Sequence, residues 1–150
     1  MRIVSLDVGE VRIGVAACDS LEIAAFPITT VTRVGSLKRD VEAVCSVTRE
    51  QEAEMILVGL PLSLDGSAGP QAQRVKGFAK ALKAAAGVPI EFWDESLTSV
   101  EANEIMIRQG VSRARRREKI DQIAAVLILD SFLRDRQAQS AAAARAGGDS

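Results

Sequence analysis

Four acidic residues of this chain stand beside apolar stretches, where a carboxylate is uncommon. Asp7 lies inside an apolar run, Asp94 and Glu95 directly follow a second one, and Asp121 lies near the start of a third. Carboxylates gathered in such surroundings repel one another unless cations offset their charge. Mg²⁺ or Mn²⁺ does this with oxygen ligands, and two such ions about 4 Å apart promote phosphodiester hydrolysis. The four acids are therefore candidate metal ligands.

Each acid also has a plain structural interpretation that the residues alone leave open. Asp7 is also typical of a turn in which the side chain accepts from backbone N–H groups. Asp94 and Glu95 fit solvated loop acids, and Asp121 fits a first-turn acid that the helix dipole favours. Because side chains alternate along a strand, Asp94 and Glu95 should face opposite ways, so only one can point into a given site.

Histidine and tyrosine are absent from the sequence. Their absence excludes Ser-His and Cys-His nucleophile pairs, an imidazole base and histidine-bound zinc. Cys18 and Cys45 do not have a metal-binding spacing, so we expect reduced thiols and a cytoplasmic protein. Any proton or metal chemistry therefore falls to carboxylates, lysines or the substrate.

Composition predicts one ordinary globular domain. The chain has 150 residues, is 47% hydrophobic and has a formal net charge of −1. No apolar run approaches the roughly 20 residues of a membrane span, and the first residues do not resemble a signal peptide. Nucleic-acid binding would therefore depend on local basic patches or on metal ions that offset the charge of an acidic cleft. The densest basic patch is residues 112–119, with the basic residues Arg113, Arg115, Arg116, Arg117 and Lys119.

Hydrophobic periodicity predicts the elements that position the acids. Residues 3–8 read as a central strand, 12–17 as its hairpin partner and 24–31 as an edge strand, followed by a helix over 36–47. Gly9 supplies a position without a Cβ, for a turn or for a ligand that approaches the backbone, and Gly14 and Ala16 clear space on the second strand beside Asp7. This order predicts an α/β fold in which an antiparallel meander precedes a right-handed crossover.

The second half alternates strands and helices. Residues 55–60 form a wholly apolar, buried strand, Pro70 opens a helix that Gly87 ends, and 88–93 form the last strand. A capping box at 98–101 starts a helix that stops at Gly110. A helix that is apolar nearly all round covers 120–133 and should be mostly buried. We place the domain at 1–137 and expect 138–150, rich in Ala and Gly, to be frayed helix or disordered.

Four blocks carry a resemblance to a known family. They are Asp7-Val-Gly-Glu-Val-Arg-Ile-Gly-Val-Ala16, Val58-Gly-Leu-Pro61, Asp94-Glu-Ser-Leu-Thr-Ser-Val-Glu-Ala102 and Lys119-Ile-Asp-Gln-Ile-Ala-Ala125. In this order and at this spacing they resemble the YqgF/RuvX family of RNase H-like nucleases, over roughly residues 2–134. The resemblance implies a mixed five-stranded sheet flanked by helices.

What the resemblance implies about function is specific. Family members are described as Holliday junction resolvases and as nucleases that mature the 5′ end of the precursor of 16S rRNA. By position, the catalytic residues and ligands of Mg²⁺ or Mn²⁺ would be Asp7, Glu95 and Asp121, with Asp94 a weaker candidate. Arg12, supported by the basic residues of 113–119, would contact substrate phosphates. A resolvase would also be expected to form a homodimer.

Two departures from the family and two rival functions accompany this prediction. Ser96 stands where the family usually has Arg, and Val11 where Lys is common; neither is a proposed ligand. The first rival is a non-catalytic nucleic-acid-binding module of the same fold, which would not need a metal ion. The second is an ATP-binding domain of the actin-like or sugar-kinase type, which 150 residues supply only once where two are required.

Overall fold

The computed structural model describes residues 1–62, 65–95 and 113–147, the last range without the side chains of residues 113–119 and 147. The described elements are β1 (Ile3–Val8), β2 (Arg12–Cys18), β3 (Ala25–Thr32), α1 (Leu37–Glu50), β4 (Met55–Leu60), α2 (Pro70–Ala86), β5 (Ile90–Asp94) and α3 (Arg113–Gly147). The predicted capping box, the helix end at Gly110 and Ser96 lie outside the described residues. No described helix combines the length and the apolar character needed to cross a membrane.

The five strands form one mixed sheet in the order β3-β2-β1-β4-β5. β1 pairs antiparallel with β2 and parallel with β4, and all six of its residues are buried. β3 lies at one edge, where Pro27 predicts it, and β5 pairs parallel with β4. The predicted meander and crossover are therefore confirmed, and the carboxyl ends of β1, β4 and β5 meet at one edge of the sheet.

The two faces of the sheet are covered by different helices. Val4, Leu6 and Val8 of β1 belong to a core with residues of α1 and α2, whereas Ile3 belongs to a core with Ile128 and other residues of α3. Ser5, which shares the face of Ile3, donates a hydrogen bond to the backbone oxygen of Ala125 at 2.7 Å. Asp7, two residues further along, also faces α3 because side chains alternate along a strand.

The β1–β2 turn is tied to the start of α1 by Arg33. Within the turn, Gly9 N donates to Arg12 O at 2.9 Å, and a Cβ on Gly9 would lie 2.7 Å from that oxygen. The need for glycine at this position is therefore set by the turn. Arg33 donates from Nη1 to Gly9 O at 3.0 Å and from Nε to the buried Asp40 at 2.9 Å. These contacts hold the turn between Asp7 and Arg12.

Helix α3 extends beyond the apolar segment 120–133 in both directions. It begins at Arg113 rather than near residue 120, so Asp121 lies more than two turns inside it. The interpretation of Asp121 as a first-turn acid is therefore wrong. Arg, Ala, Glu and Lys, which dominate the basic segment, are good helix formers, and this explains the earlier start. The helix also continues through the Ala/Gly-rich tail to Gly147, past the predicted domain boundary at residue 137.

A smaller part of the circumference of α3 is buried than its composition predicts. Ala124, Ala125, Ile128 and Leu129 are fully buried on one face, whereas the residues between them are half-buried. Since the sheet covers only one side of the helix, an apolar sequence cannot bury the whole circumference. Spacings of three, four and seven residues to Ala124, Ala125 and Ile128 place Asp121 on the buried face of the helix, toward the sheet.

Candidate active site

Three of the predicted acids come together at the carboxyl edge of the sheet. Asp7 from β1 makes side-chain hydrogen bonds with Glu95, which follows β5, and with Asp121 of α3. Asp7 is 8% exposed, and Glu95 and Asp121 are half-buried. Residues 7, 95 and 121 are remote in the chain, so their contact is produced by the fold.

Glu95 is delivered to Asp7 by the parallel pairing of β4 and β5. Leu60 pairs with Asp94, and Glu95 N then donates to Leu60 O at 3.1 Å. On the adjacent Gly59, a Cβ would lie only 2.6 Å from Glu95 Oε2. A glycine at this point of β4 therefore makes the room that the carboxylate occupies.

Helix α3 is seated on Gly14. A Cβ on Gly14 would lie 2.0 Å from the backbone oxygen of Asp121, which is much closer than non-bonded atoms approach. The space beside Asp7 that Gly14 was predicted to clear is therefore occupied by the helix. Because Gly14 pairs with Asp7 across the hairpin, this contact places Asp121 directly beside Asp7.

Arg12 pairs with Asp121. Its Nε donates to Asp121 Oδ2 at 3.2 Å, and about a third of the Arg12 side chain is exposed. The described partner of Arg12 is thus a carboxylate, while the predicted contact with a substrate phosphate stays a prediction. An arginine already held beside the acids reduces their mutual repulsion.

The pKa values of all three acids are raised, with burial as the largest cause. Burial raises the pKa of Asp7 to about 6, and Asp121 adds to the effect by its charge. Burial and the charge of Asp7 raise the pKa of Glu95 to about 9. Burial also raises the pKa of Asp121, against the opposing effect of Arg12. The carboxyl groups consequently form a chain of hydrogen bonds. Protonated Glu95 donates to Asp7, and Asp7, when it is protonated, donates to Asp121.

The chemistry of this donor set fits a divalent metal ion. Three carboxyl groups supply the oxygen ligands that Mg²⁺ and Mn²⁺ prefer, and a cation would replace the protons they now share. In the part of the chain that the structure describes, no three acidic or sulfur-bearing side chains are arranged as a ready-made metal site. Asp7 is hydrogen-bonded to both other acids and Asp121 also pairs with Arg12, so a cation would replace these contacts.

The remaining predicted site residues lie elsewhere. Asp94 is exposed and follows the strand alternation, so it faces away from Glu95, as predicted. The side chains of Arg113, Arg115, Arg116, Arg117 and Lys119 lie outside the described residues, and only their helical backbone is described.

Sequence reasoning missed the role of Gly59. A glycine inside the otherwise apolar strand 55–60 was a usable signal, because strand glycines mark close approach of another group. The ion pair between Arg74 of α2 and Glu10 of the β1–β2 turn was also missed, since it joins residues 64 positions apart.

Comparison with known proteins identifies the family. A family model described as "RuvX: Holliday junction resolvase" matches residues 1–135. The chain belongs to the RuvX family. Curated relatives of this RuvX chain include a Syntrophus aciditrophicus (strain SB) protein that is 49% identical and a Myxococcus xanthus (strain DK1622) protein that is 47% identical, each over 133 residues. The alignments cover 89% of this chain and 88% and 87% of those relatives, and both are named "Putative pre-16S rRNA nuclease".

Solved structures confirm the predicted fold. RuvC of T. thermophilus in complex with a Holliday junction substrate matches with a TM-score of 0.59 at 19% identity, covering 91% of this chain and 96% of that one. A second Thermus thermophilus RuvC structure matches with a TM-score of 0.54 at 16% identity, covering 92% and 97%. At such low identity the likeness shows the RNase H-like fold alone. The predicted family and the predicted class, a nuclease, are both confirmed by the relatives.

Proposed function

We propose that this chain is a metal-dependent endonuclease that hydrolyses phosphodiester bonds in structured nucleic acid, with Asp7, Glu95 and Asp121 as the catalytic residues and ligands of Mg²⁺ or Mn²⁺. The observation that carries the proposal is the contact of Asp7 with both other acids. Three carboxyl groups whose pKa values rise together form a strong candidate for a cation-binding site. Membership of a family of nucleases supports the same chemistry.

Each residue has a distinct task in this proposal. Asp7, held rigidly in the central strand, bridges Glu95 and Asp121 and keeps the donor set together. Arg12 holds the Asp121 carboxylate in place and, being part exposed, can also meet a phosphate oxygen of the substrate. When bound, the metal ions supply an activated water and stabilise the charge on the leaving oxygen.

The substrate is either a branched DNA or the precursor of 16S rRNA. The family description names a Holliday junction resolvase, whereas the curated relatives are named for the rRNA precursor. If the substrate is a DNA junction, we expect a homodimer, whose two active sites would act on two strands. A cytoplasmic location is compatible with either substrate, and the free thiols of Cys18 and Cys45 support it.

The test is cleavage of a labelled four-way DNA junction and of a labelled rRNA precursor, each with Mg²⁺, Mn²⁺ or a chelator. Wild type should cut at least one substrate only with metal, and Asp7→Asn and Glu95→Gln should lose at least about a hundredfold in rate. Asp94→Asn is the matched control, since it removes the neighbouring charge from the opposite face and should retain activity. Full activity of Asp7→Asn would contradict the assignment.

The non-catalytic module is distinguished by metal binding. Calorimetric titration of wild type with Mn²⁺ should give binding that Asp7→Asn loses, because Asp7 contacts both other acids. A chain that binds nucleic acid but neither Mn²⁺ nor Mg²⁺, and cuts neither substrate, would be that module.

A further inference from the structure

Three lysines line a cleft beside the last described strand, outside the carboxylate cluster. The cleft has a volume of about 270 Å³ and lies between α2 and β5. Its lining residues are Lys76, Ala79, Lys80, Lys83, Ile90 and Phe92. All three lysines are exposed, and Phe92 is 42% exposed, which is unusual for a large aromatic side chain. The cleft therefore combines positive charge with an open aromatic face.

The lysine positions form a single stripe. Residues 76, 80 and 83 lie at helical spacings of four and three, so their side chains project from one side of α2. The stripe spans about 10 Å along the helix axis. That length corresponds to about three nucleotides of one strand in B-form DNA. Successive phosphates could thus be met by successive lysines.

These cations are available for a ligand. Among the ion pairs of the described residues, the cations are arginines and the amino terminus, and none involves Lys76, Lys80 or Lys83. In a chain of net charge −1, three of its five lysines are gathered here. A concentration of unpaired charge of one sign attracts a polyanion.

The cleft and the carboxylate cluster both border β5. Phe92 precedes Glu95 by three residues, or about 10 Å of strand. Phe92 faces α2 whereas Glu95 faces Asp7 and α3, so the two lie on opposite faces of the sheet. β5 is the outermost strand at its end of the described sheet, so a strand of nucleic acid that reaches both places would pass round this edge.

We propose that this cleft binds an unpaired strand of nucleic acid that extends from the cleavage site, with lysines on the phosphates and Phe92 under a base. Stacking on one aromatic ring requires a base that is free of its complement, which favours single strands over duplexes. RNA and DNA share this chemistry. The inference deepens the proposed function and rests on it for the position of the cut.

The test is binding of fluorescent oligonucleotides of about 12 nucleotides, a length within reach of one small domain. Single-stranded RNA, single-stranded DNA and duplex are compared in chelator, with every protein in the Asp7→Asn background to prevent cleavage. The cleft variant is Lys76→Ala/Lys80→Ala/Lys83→Ala. Its matched control is Lys38→Ala/Arg39→Ala/Arg49→Ala, which removes three exposed cations from α1 and gives the same net charge.

The cleft variant should bind single strands at least about tenfold more weakly, and its slope of log affinity against log salt should fall by about 2, or 0.7 for each phosphate contact. The α1 control should keep the wild-type slope. Phe92→Ala should weaken single-strand binding about tenfold, a loss that Phe92→Leu does not restore, and should leave duplex binding unchanged.

Equal losses in the cleft variant and the control would overturn the proposal, since only net charge would then matter. The proposal would also be overturned if the cleft variant bound single strands as tightly as the protein with the intact cleft. An acidic protein surface would then be the next candidate ligand for the cleft. The comparison of RNA with DNA identifies which strand the cleft prefers. Because binding is measured without cleavage, a failure of the proposed function would show separately, as a wild-type protein that cuts neither the DNA junction nor the rRNA precursor with Mg²⁺ or Mn²⁺.

Discussion

Gly59 leaves the space that the carboxylate of Glu95 fills: a Cβ on residue 59 would lie 2.6 Å from Glu95 Oε2 and 2.4 Å from Ile128 Cδ1. Both atoms are ends of flexible side chains, so Gly59→Ala should cost only about 1–3 kcal/mol of unfolding free energy. Displacement of Glu95 should lower the cleavage rate by about 10- to 100-fold. Denaturant unfolding and cleavage assays measure the two effects separately. Gly77→Ala is the control, because nothing surrounds that position within 4 Å.

Gly14→Ala should act on stability more strongly than on chemistry. Its new Cβ would meet the backbone oxygen of Asp121 at 2.0 Å, and backbone cannot move aside as a side chain tip can. Helix α3 must shift away from the sheet, with an expected loss of at least about 3 kcal/mol in urea unfolding. An unchanged unfolding midpoint would show that α3 is not seated on β2 as described.

Stability without metal should decrease as the pH rises. The pKa of Asp7 is raised from 3.8 to about 6, so the folded state holds the proton more tightly than the unfolded state does. The unfolding free energy should therefore fall by on the order of 3 kcal/mol between about pH 4 and pH 6. Glu95, whose pKa is raised to about 9, should extend the decrease toward that pH.

Asp7→Asn isolates this effect, because it removes the ionisable group and the charge that acts on Glu95. Above about pH 7 the variant in chelator should be more stable than wild type, and the difference should vanish near pH 4. Urea unfolding of both proteins across this range provides the measurement. A variant that is less stable at every pH would mean that Asp7 is not under the repulsion described.

Arg12→Gln should impair activity through Asp121. Without the guanidinium, which opposes the effect of burial, the pKa of Asp121 should rise further. Cleavage should fall about tenfold and its pH optimum should move upward, with partial recovery in Arg12→Lys. The pH–rate profile checks this prediction. Arg74→Gln, which loses the exposed pair with Glu10, should show no such shift.

Arg33→Met should destabilise the fold through Asp40. Asp40 is 2% exposed; burial would raise its pKa, but the Val34 N–H and Arg33 hold that pKa below its usual value. Loss of Arg33 leaves a buried carboxylate without its cation, which should cost about 3–5 kcal/mol. Asp40→Asn added to Arg33→Met should restore part of the loss. Urea unfolding of both single variants and the double variant measures the coupling.

The elements of the fold were largely predictable from local pattern. Short apolar runs identified β1 and β4, alternation identified β2, and Pro70 and Gly87 marked the limits of α2. The start of α3 was not predictable in this way, because a basic segment of good helix formers is compatible with both a solvated loop and a helix. Charge dominated the interpretation of residues 112–119, whereas helix propensity explains the backbone.

The acids were identifiable from the sequence, but their arrangement was not. An acid in an apolar stretch is conspicuous wherever it occurs, so Asp7, Glu95 and Asp121 could be named in advance. Strand alternation predicted that only one of Asp94 and Glu95 faces the site, and the family resemblance pointed to Glu95. The shared protons, the pairing of Arg12 with Asp121 and the cleft between α2 and β5 depend on contacts between distant segments.

The sequence by itself determined which residues can do chemistry, since it contains no histidine and places acids among apolar neighbours. Only the tertiary structure decided how closely those acids meet. Gly14 sets how near α3 lies to the sheet, and Gly59 sets how far Glu95 reaches inward. The physical reason is that these distances are fixed by excluded volume between segments far apart in the chain. A local sequence pattern does not show which distant segments come into contact.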